Sequence, residues 1–185
     1  MVRRVFLGYG VLGLAYGASM FRGFRLKQVP GLKSWIVTLA AMIGGIGLPL
    51  ADSGRALDLD ALEVALVTFA TLAVATHLCD VIDAGADRAH GTLTLPVLIG
   101  AGRTKAMLRA IVVLCAVALM LGWHYHAFSV HPEILVLLAC NLALTYLVTP
   151  ETPGLKGYLL VESALFLLPL GPPIHACLDW IASRS

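Results

Sequence analysis

A series of apolar runs, each close to the length of a bilayer crossing, limits what this chain can become. They cover Val5–Phe21, Ser34–Ala51, Val64–Cys79, Ala110–Val130, Ile134–Thr149 and Tyr158–Leu178. A hydrocarbon core takes about 20 apolar residues per helix, so the first and third runs are marginal in length. Charged residues make up 13% of the chain and hydrophobic ones 59%, whereas soluble domains carry roughly 25% charge. The composition excludes an ordinary soluble domain, and no charge run points to nucleic acid. The expectation is an all-α, polytopic transmembrane helix bundle: residues 1–185 form a single integral membrane domain of five or six spans.

Pro30-Gly31, Pro49, Pro96, Pro132, Pro150, Pro153-Gly154 and Pro172-Pro173 fall at or near the run ends, where helices break. Arg3 and Arg4 before the first run have the outline of a signal peptide, but Gly17-Ala-Ser-Met20 is a poor cleavage context and further spans follow. The first run is read as a retained helix, with Gly13 and Gly17 as a small-residue packing face. Cys79, Cys115, Cys140 and Cys177 sit in or at the ends of apolar runs without C-x-x-C pairing, and read as packing residues.

Lys and Arg in short loops set membrane orientation. Arg22, Arg25, Lys27 and Lys33 follow the first run, and Arg88, Arg103, Lys105 and Arg109 follow the third. The alternate loops hold Arg55 among Asp52, Asp58, Asp60 and Glu63, and no Lys or Arg from His124 to Glu133. Both basic loops are therefore expected on the cytoplasmic side of a cell inner membrane. Lys156 agrees; Arg184 and the Arg3-Arg4 pair do not, since this orientation puts the N-terminus outside.

Asp80, Asp83 and Asp87 are spaced i, i+3, i+7, which on a helix places three carboxylates on one face. Such anions repel unless a cation lies among them. Mg²⁺ suits carboxylate oxygens and commonly bridges to substrate phosphates, and Arg88, Arg103, Lys105 and the first basic loop would neutralise the rest of a diphosphate. The competing reading is a solvated loop whose acids balance its arginines. Acids at a membrane edge lean toward function.

The string D-V-I-D-A-G-A-D-R-A-H-G-T-L-T-L-P-V-L-I-G, Asp80 to Gly100, resembles the second aspartate-rich motif of the UbiA superfamily of intramembrane prenyltransferases. R-L-K-Q-V-P-G-L-K-S-W, Arg25 to Trp35, is similar to the basic loop after the fourth helix in one branch of that family, with Tyr16 for its preceding tyrosine and Glu162 for the acid of its last helix. The resemblance implies a helical fold around a cavity open to the cytoplasm and to lipid. There two aspartate-rich motifs hold Mg²⁺ and the diphosphate of a polyprenyl donor, and a lipophilic acceptor captures the allylic cation. Carried over by position, Asp80, Asp83 and Asp87 would coordinate Mg²⁺, and Arg88, Lys27 and Arg25 would contact diphosphate. Tyr16 would face the allylic cation or serve as an interfacial anchor.

The pattern covered, from about Tyr16 to Leu178, corresponds to the C-terminal part of the family. Its first motif, N-x-x-x-D-x-x-x-D, has no match here, and Gly85 stands where the family usually has glutamate. A chain starting at the family's fourth helix would begin on the outer side, in keeping with the odd N-terminus. Three expectations follow: a truncated frame, one part of a split enzyme whose second chain supplies the first motif, or a degenerate, non-catalytic membrane subunit for binding or assembly.

Other groupings are weaker. His124, His126 and His131, with Glu133, read as a metal cluster or as interfacial side chains. His77 and His175 read as hydrogen-bonded packing residues, and His90 lies inside the motif. Glu162, more than Glu63 or Asp179, reads as buried and facing a cavity or partner. A transporter would use such acids as a relay, but broken helices in matching halves are missing. The CDP-alcohol phosphotransferase pattern fails at its second half, because no Asp pair follows Gly91 or Gly100.

Overall fold

A computed structural model describes residue 10 and residues 29–54, 58–128 and 132–167. In chain order the helices are α1 (Lys33–Met42), α2 (Leu48–Ser53), α3 (Leu59–Ala89), α4 (Leu95–Ile99), α5 (Ala101–His124), α6 (Pro132–Leu147) and α7 (Gly154–Leu167), with no strand among the described residues. Lys33–Ser53, Leu59–Ala89 and Ala101–His124 are long and apolar enough to cross a membrane, and Glu133–Leu147 is a shorter apolar helix. Apart from Gly10, the run at Val5–Phe21 lies outside the described residues, as does the last run beyond Leu167.

Pro49 does not end the second run. A π-helical stretch, Ile43–Gly47, joins α1 to α2, and Pro49 falls in the first turn of α2. Proline cannot donate to the carbonyl four residues back, and the wider turn just before it absorbs that mismatch.

Helix α3 is the central element. It starts at Asp58, whose carboxylate accepts from the Ala61 N–H at 2.9 Å and caps the helix. Its 31 residues extend for about 46 Å at helical rise, against about 30 Å of hydrocarbon. The surplus at each end carries acids: Asp60 and Glu63 at the start, Asp80, Asp83 and Asp87 at the finish. The third run is therefore not marginal, and the aspartates lie within its helix rather than in a loop beyond Cys79.

A glycine turn ends α3. Gly91 has φ +69°, the Gly91 N–H donates to Arg88 O at 3.2 Å, and the Thr92 N–H donates to Asp87 O at 2.8 Å. This pair of bonds satisfies the last carbonyls and needs a left-handed residue, which accounts for glycine in the D-R-A-H-G string.

Neighbours pack around α3 through contacts that fix their direction. Thr38 and Thr76 hydroxyls are 2.9 Å apart while Lys33 reaches Asp87, so α1 runs antiparallel to α3. The Trp123 indole donates to Glu63 at 3.2 Å and Cys115 lies against the Leu66 carbonyl, so α5 is antiparallel as well. Asn141 on α6 donates to the Thr71 hydroxyl at 3.0 Å, and Tyr158 on α7 reaches Asp83. Between these polar links Val67, Ala70, Val74, Leu78, Leu108, Val112, Leu119 and Leu138 form the apolar core. Leu114, Met120, Val136 and Leu159 face outward, an arrangement suited to lipid.

Candidate functional site at the aspartate end of α3

The antiparallel arrangement gathers the start of α1, the end of α3, the 90–100 turn and the start of α7 at one end of the bundle. The described part of the first motif-like stretch, Val29–Trp35, meets the second, Asp80–Gly100, there. The Gly31 N–H donates to the Leu93 carbonyl at 2.6 Å, which ties the Val-Pro-Gly turn to the Thr-Leu-Thr-Leu-Pro segment. Gly31 has φ +72°, and a Cβ added to it would lie 3.3 Å from Leu95 Cδ2. The backbone angle calls for glycine here, and Leu95 would have to give by a few tenths of an ångström for any Cβ.

Two residues later, the Lys33 ammonium lies 3.2 Å from Asp80 Oδ1 and 3.4 Å from Asp87 Oδ2. The Ser34 hydroxyl donates to Asp80 Oδ2. Asp80 is buried, with 4% exposure, while Asp83 and Asp87 are half-buried. Asp83 turns elsewhere: the Tyr158 hydroxyl donates to its Oδ1 at 2.5 Å. The three carboxylates are thus held by three side chains, Lys33 and Ser34 from α1 and Tyr158 from α7.

Deeper along the α1–α3 seam the polar lining continues. His77 is fully buried, its Nδ1 2.8 Å from the Ala73 carbonyl and its ring edge-on to Trp35 at 4.5 Å. Its Nε2 is buried without a hydrogen-bond partner among the described residues. Ser34, Thr38 and Thr76 line the same seam, with Thr76 half-buried and the others buried.

The remaining expected residues divide clearly. Arg88 and Arg103 are exposed at this end. Lys105 donates to the Val148 carbonyl at 2.8 Å, and the Arg109 guanidinium lies 4.6 Å over the Tyr146 ring, so both hold the end of α6. Glu162 is exposed, correcting its reading as a buried acid: Gly157 and Val161 turn the α7 contact face toward the bundle, and Glu162 lies beside it. A Cβ at Gly85 meets nothing within 4 Å, so this departure from the motif opens no packing defect. Tyr16, Arg25, Lys27, His131, His175, Cys177 and Asp179 lie outside the described residues. Cys79, Cys115 and Cys140 are free thiols.

Among the described residues no group of three or more His, Cys, Asp or Glu side chains is placed to hold a metal ion. Two carboxylates do converge. Asp80 and Asp87 supply oxygen donors only and already close on a positive charge, the Lys33 ammonium. Mg²⁺ is usually held by one or two carboxylates, with waters and substrate phosphates completing its shell. The Asp80–Asp87 pair fits that demand, and Asp83 in its bond to Tyr158 stands outside it.

Sequence reasoning counted Lys33 only as a loop cation, and it passed over Tyr158. The first had a signal, a lysine just after a Pro-Gly turn at a helix start. The second had none, since 75 positions separate Tyr158 from Asp83. No family model matches the chain, and no curated protein or solved structure matches it.

If the Gly31 turn joins the two stretches, Gly31→Ala should destabilise the protein by about 1–2 kcal/mol, the penalty of a left-handed backbone for a residue with a Cβ. Thermal unfolding of the detergent-solubilised chain would register a lower Tm. An unchanged Tm would mean that the turn is not held as described.

Proposed function

We propose that this chain acts as an intramembrane prenyltransferase of the UbiA type, or as the aspartate-bearing part of one. It would move a polyprenyl group from its diphosphate to an aromatic or related lipophilic acceptor. The observation that carries this reading is the convergence of Lys33 and Ser34, from one motif-like stretch, on Asp80 and Asp87 from the other. Two ordered matches meeting at one end of a bundle are much more specific than an aspartate pair alone.

The chemistry asks the site to stabilise a leaving diphosphate and to protect the carbon left behind. The allylic C–O bond breaks with its electron pair going to diphosphate, the acceptor forms the new bond, and the acceptor's proton leaves. Asp80 and Asp87 would hold Mg²⁺, which supplies charge neutralisation to the diphosphate when bound. Lys33 and Arg88 would add positive charge at the same end, and the resemblance assigns Arg25 and Lys27, outside the described residues, to the diphosphate as well. The apolar core residues Val74 and Leu78, below the aspartates, support a dry interior in which water does not quench an allylic cation. The placement of Lys33 and Arg88 at this end supports a cytoplasmic orientation in a cell inner membrane.

A second reading comes from another class. Asp80 and Asp87 already close on Lys33, and Asp83 on Tyr158, which favours a binding or assembly subunit with a degenerate site. Membranes containing the full chain, supplied with geranylgeranyl diphosphate, Mg²⁺ and a lipid extract as acceptor source, separate the two. Diphosphate release above that of membranes lacking the chain supports prenyl transfer; absence of release with saturable donor binding supports the subunit.

A further inference from the structure

We infer that Lys33 is a displaceable internal cation: it and a divalent metal ion are alternative occupants of the Asp80–Asp87 carboxylate pair. This rests on the prenyl diphosphate reading and adds to it a control on when the site takes its metal.

The geometry makes the two occupants exclusive. Lys33 Nζ lies between the two carboxylates, at 3.2 Å from Asp80 and 3.4 Å from Asp87. A Mg²⁺ ion at its usual distance of about 2.0–2.1 Å from the same oxygens would sit within a few ångströms of the ammonium, and like charges that close repel strongly. The ammonium must therefore leave when the ion arrives.

Lys33 is built to leave. Its side chain is 29% exposed, whereas that of Asp80 is 5% exposed and that of Asp87 13%. The carboxylates stay with the helix end while the lysine has open space on one side. Its long flexible stem places a point charge at the tip and lets it swing. Ser34, on the next residue, keeps its own bond to Asp80 Oδ2, so Asp80 retains a partner while its other oxygen changes occupant. The vacated ammonium remains at the mouth of the site, where a diphosphate would sit. A divalent ion entering with an anionic donor gives Lys33 a new partner; an ion alone does not. Ion binding and donor binding are therefore coupled through Lys33, each favouring the other.

The test measures Mn²⁺ binding to the purified full-length chain in detergent by electron paramagnetic resonance, without any prenyl donor. Lys33→Gln is expected to tighten Mn²⁺ binding about five- to tenfold, because the competing ion pairs are gone. Lys33→Arg keeps the charge and is expected to stay weak like the wild type. In the wild-type chain, saturating Mn²⁺ should also raise the acylation rate of Lys33 by an amine-directed reagent, read by mass spectrometry; this arm needs no variant to fold. Equal Mn²⁺ affinity in wild type and Lys33→Gln, or unchanged Lys33 acylation, overturns the inference and leaves the metal reading standing. No Mn²⁺ bound by either protein overturns the metal reading of the aspartates, and the inference with it.

Discussion

Asp80→Asn is expected to lower Mg²⁺-dependent diphosphate release by about 100- to 1,000-fold, the range seen when one preorganised group that stabilises developing charge is removed. Asp80 is the most buried of the three aspartates and accepts both the Lys33 ion pair and the Ser34 hydroxyl. The amide keeps the shape of the carboxylate but removes the negative charge that the cation needs. Asp52→Asn serves as a control: Asp52 is exposed at the end of α2, far from the α3 terminus that carries the site. A steady-state assay of released diphosphate in membranes compares the two. Equal loss in both variants, or loss in neither, would remove Asp80 from the site.

Gly157→Val should have a large effect through packing alone. A Cβ on Gly157 would lie 2.6 Å from Ile82 Cδ1 and 3.2 Å from its Cγ1. A rotation of Ile82 relieves a methyl, but a branched side chain needs α7 to move away from α3. Overpacking of this kind costs about 1–3 kcal/mol, and the shift carries Tyr158 with it, breaking its 2.5 Å bond to Asp83. The expected result is a lower Tm together with a loss of activity. Tyr158→Phe separates the two contributions, since it removes the hydrogen bond and leaves the helix packing intact. A Gly157→Val protein with wild-type stability would show that α7 does not pack as closely as described.

Much of the architecture was legible because membrane helices announce themselves by length and apolarity. The boundaries were less so. The third run stops reading as apolar at Cys79, yet its helix continues to Ala89, because alanine and arginine are good helix formers and no proline interrupts the segment. Gly91, not the change in polarity, ends it. Ala101–His124 likewise begins well before the apolar run at Ala110, through a first stretch that carries Arg103, Lys105 and Arg109.

The site was legible in part for the same kind of reason. The i, i+3, i+7 spacing places the three aspartates on one face, but a face has width. At 3.6 residues per turn Asp87 is about 20° from Asp80, while Asp83 is about 60° from it. That difference sends Asp80 and Asp87 to Lys33 and Asp83 to Tyr158. Angular position was available from the sequence; the partners were not, since one lies on α1 and the other on α7. Lys105 had a partner that the sequence did not suggest, the Val148 carbonyl at the end of α6.

The measurement that tests the central claim most directly is binding of radiolabelled geranylgeranyl thiodiphosphate, which resists ionisation, to the purified full-length chain. The account expects saturable binding that strengthens with Mg²⁺ and is lost in Asp80→Asn. Absence of saturable binding, or binding indifferent to both Mg²⁺ and Asp80→Asn, would contradict the assignment of the α3 aspartates to a prenyl diphosphate.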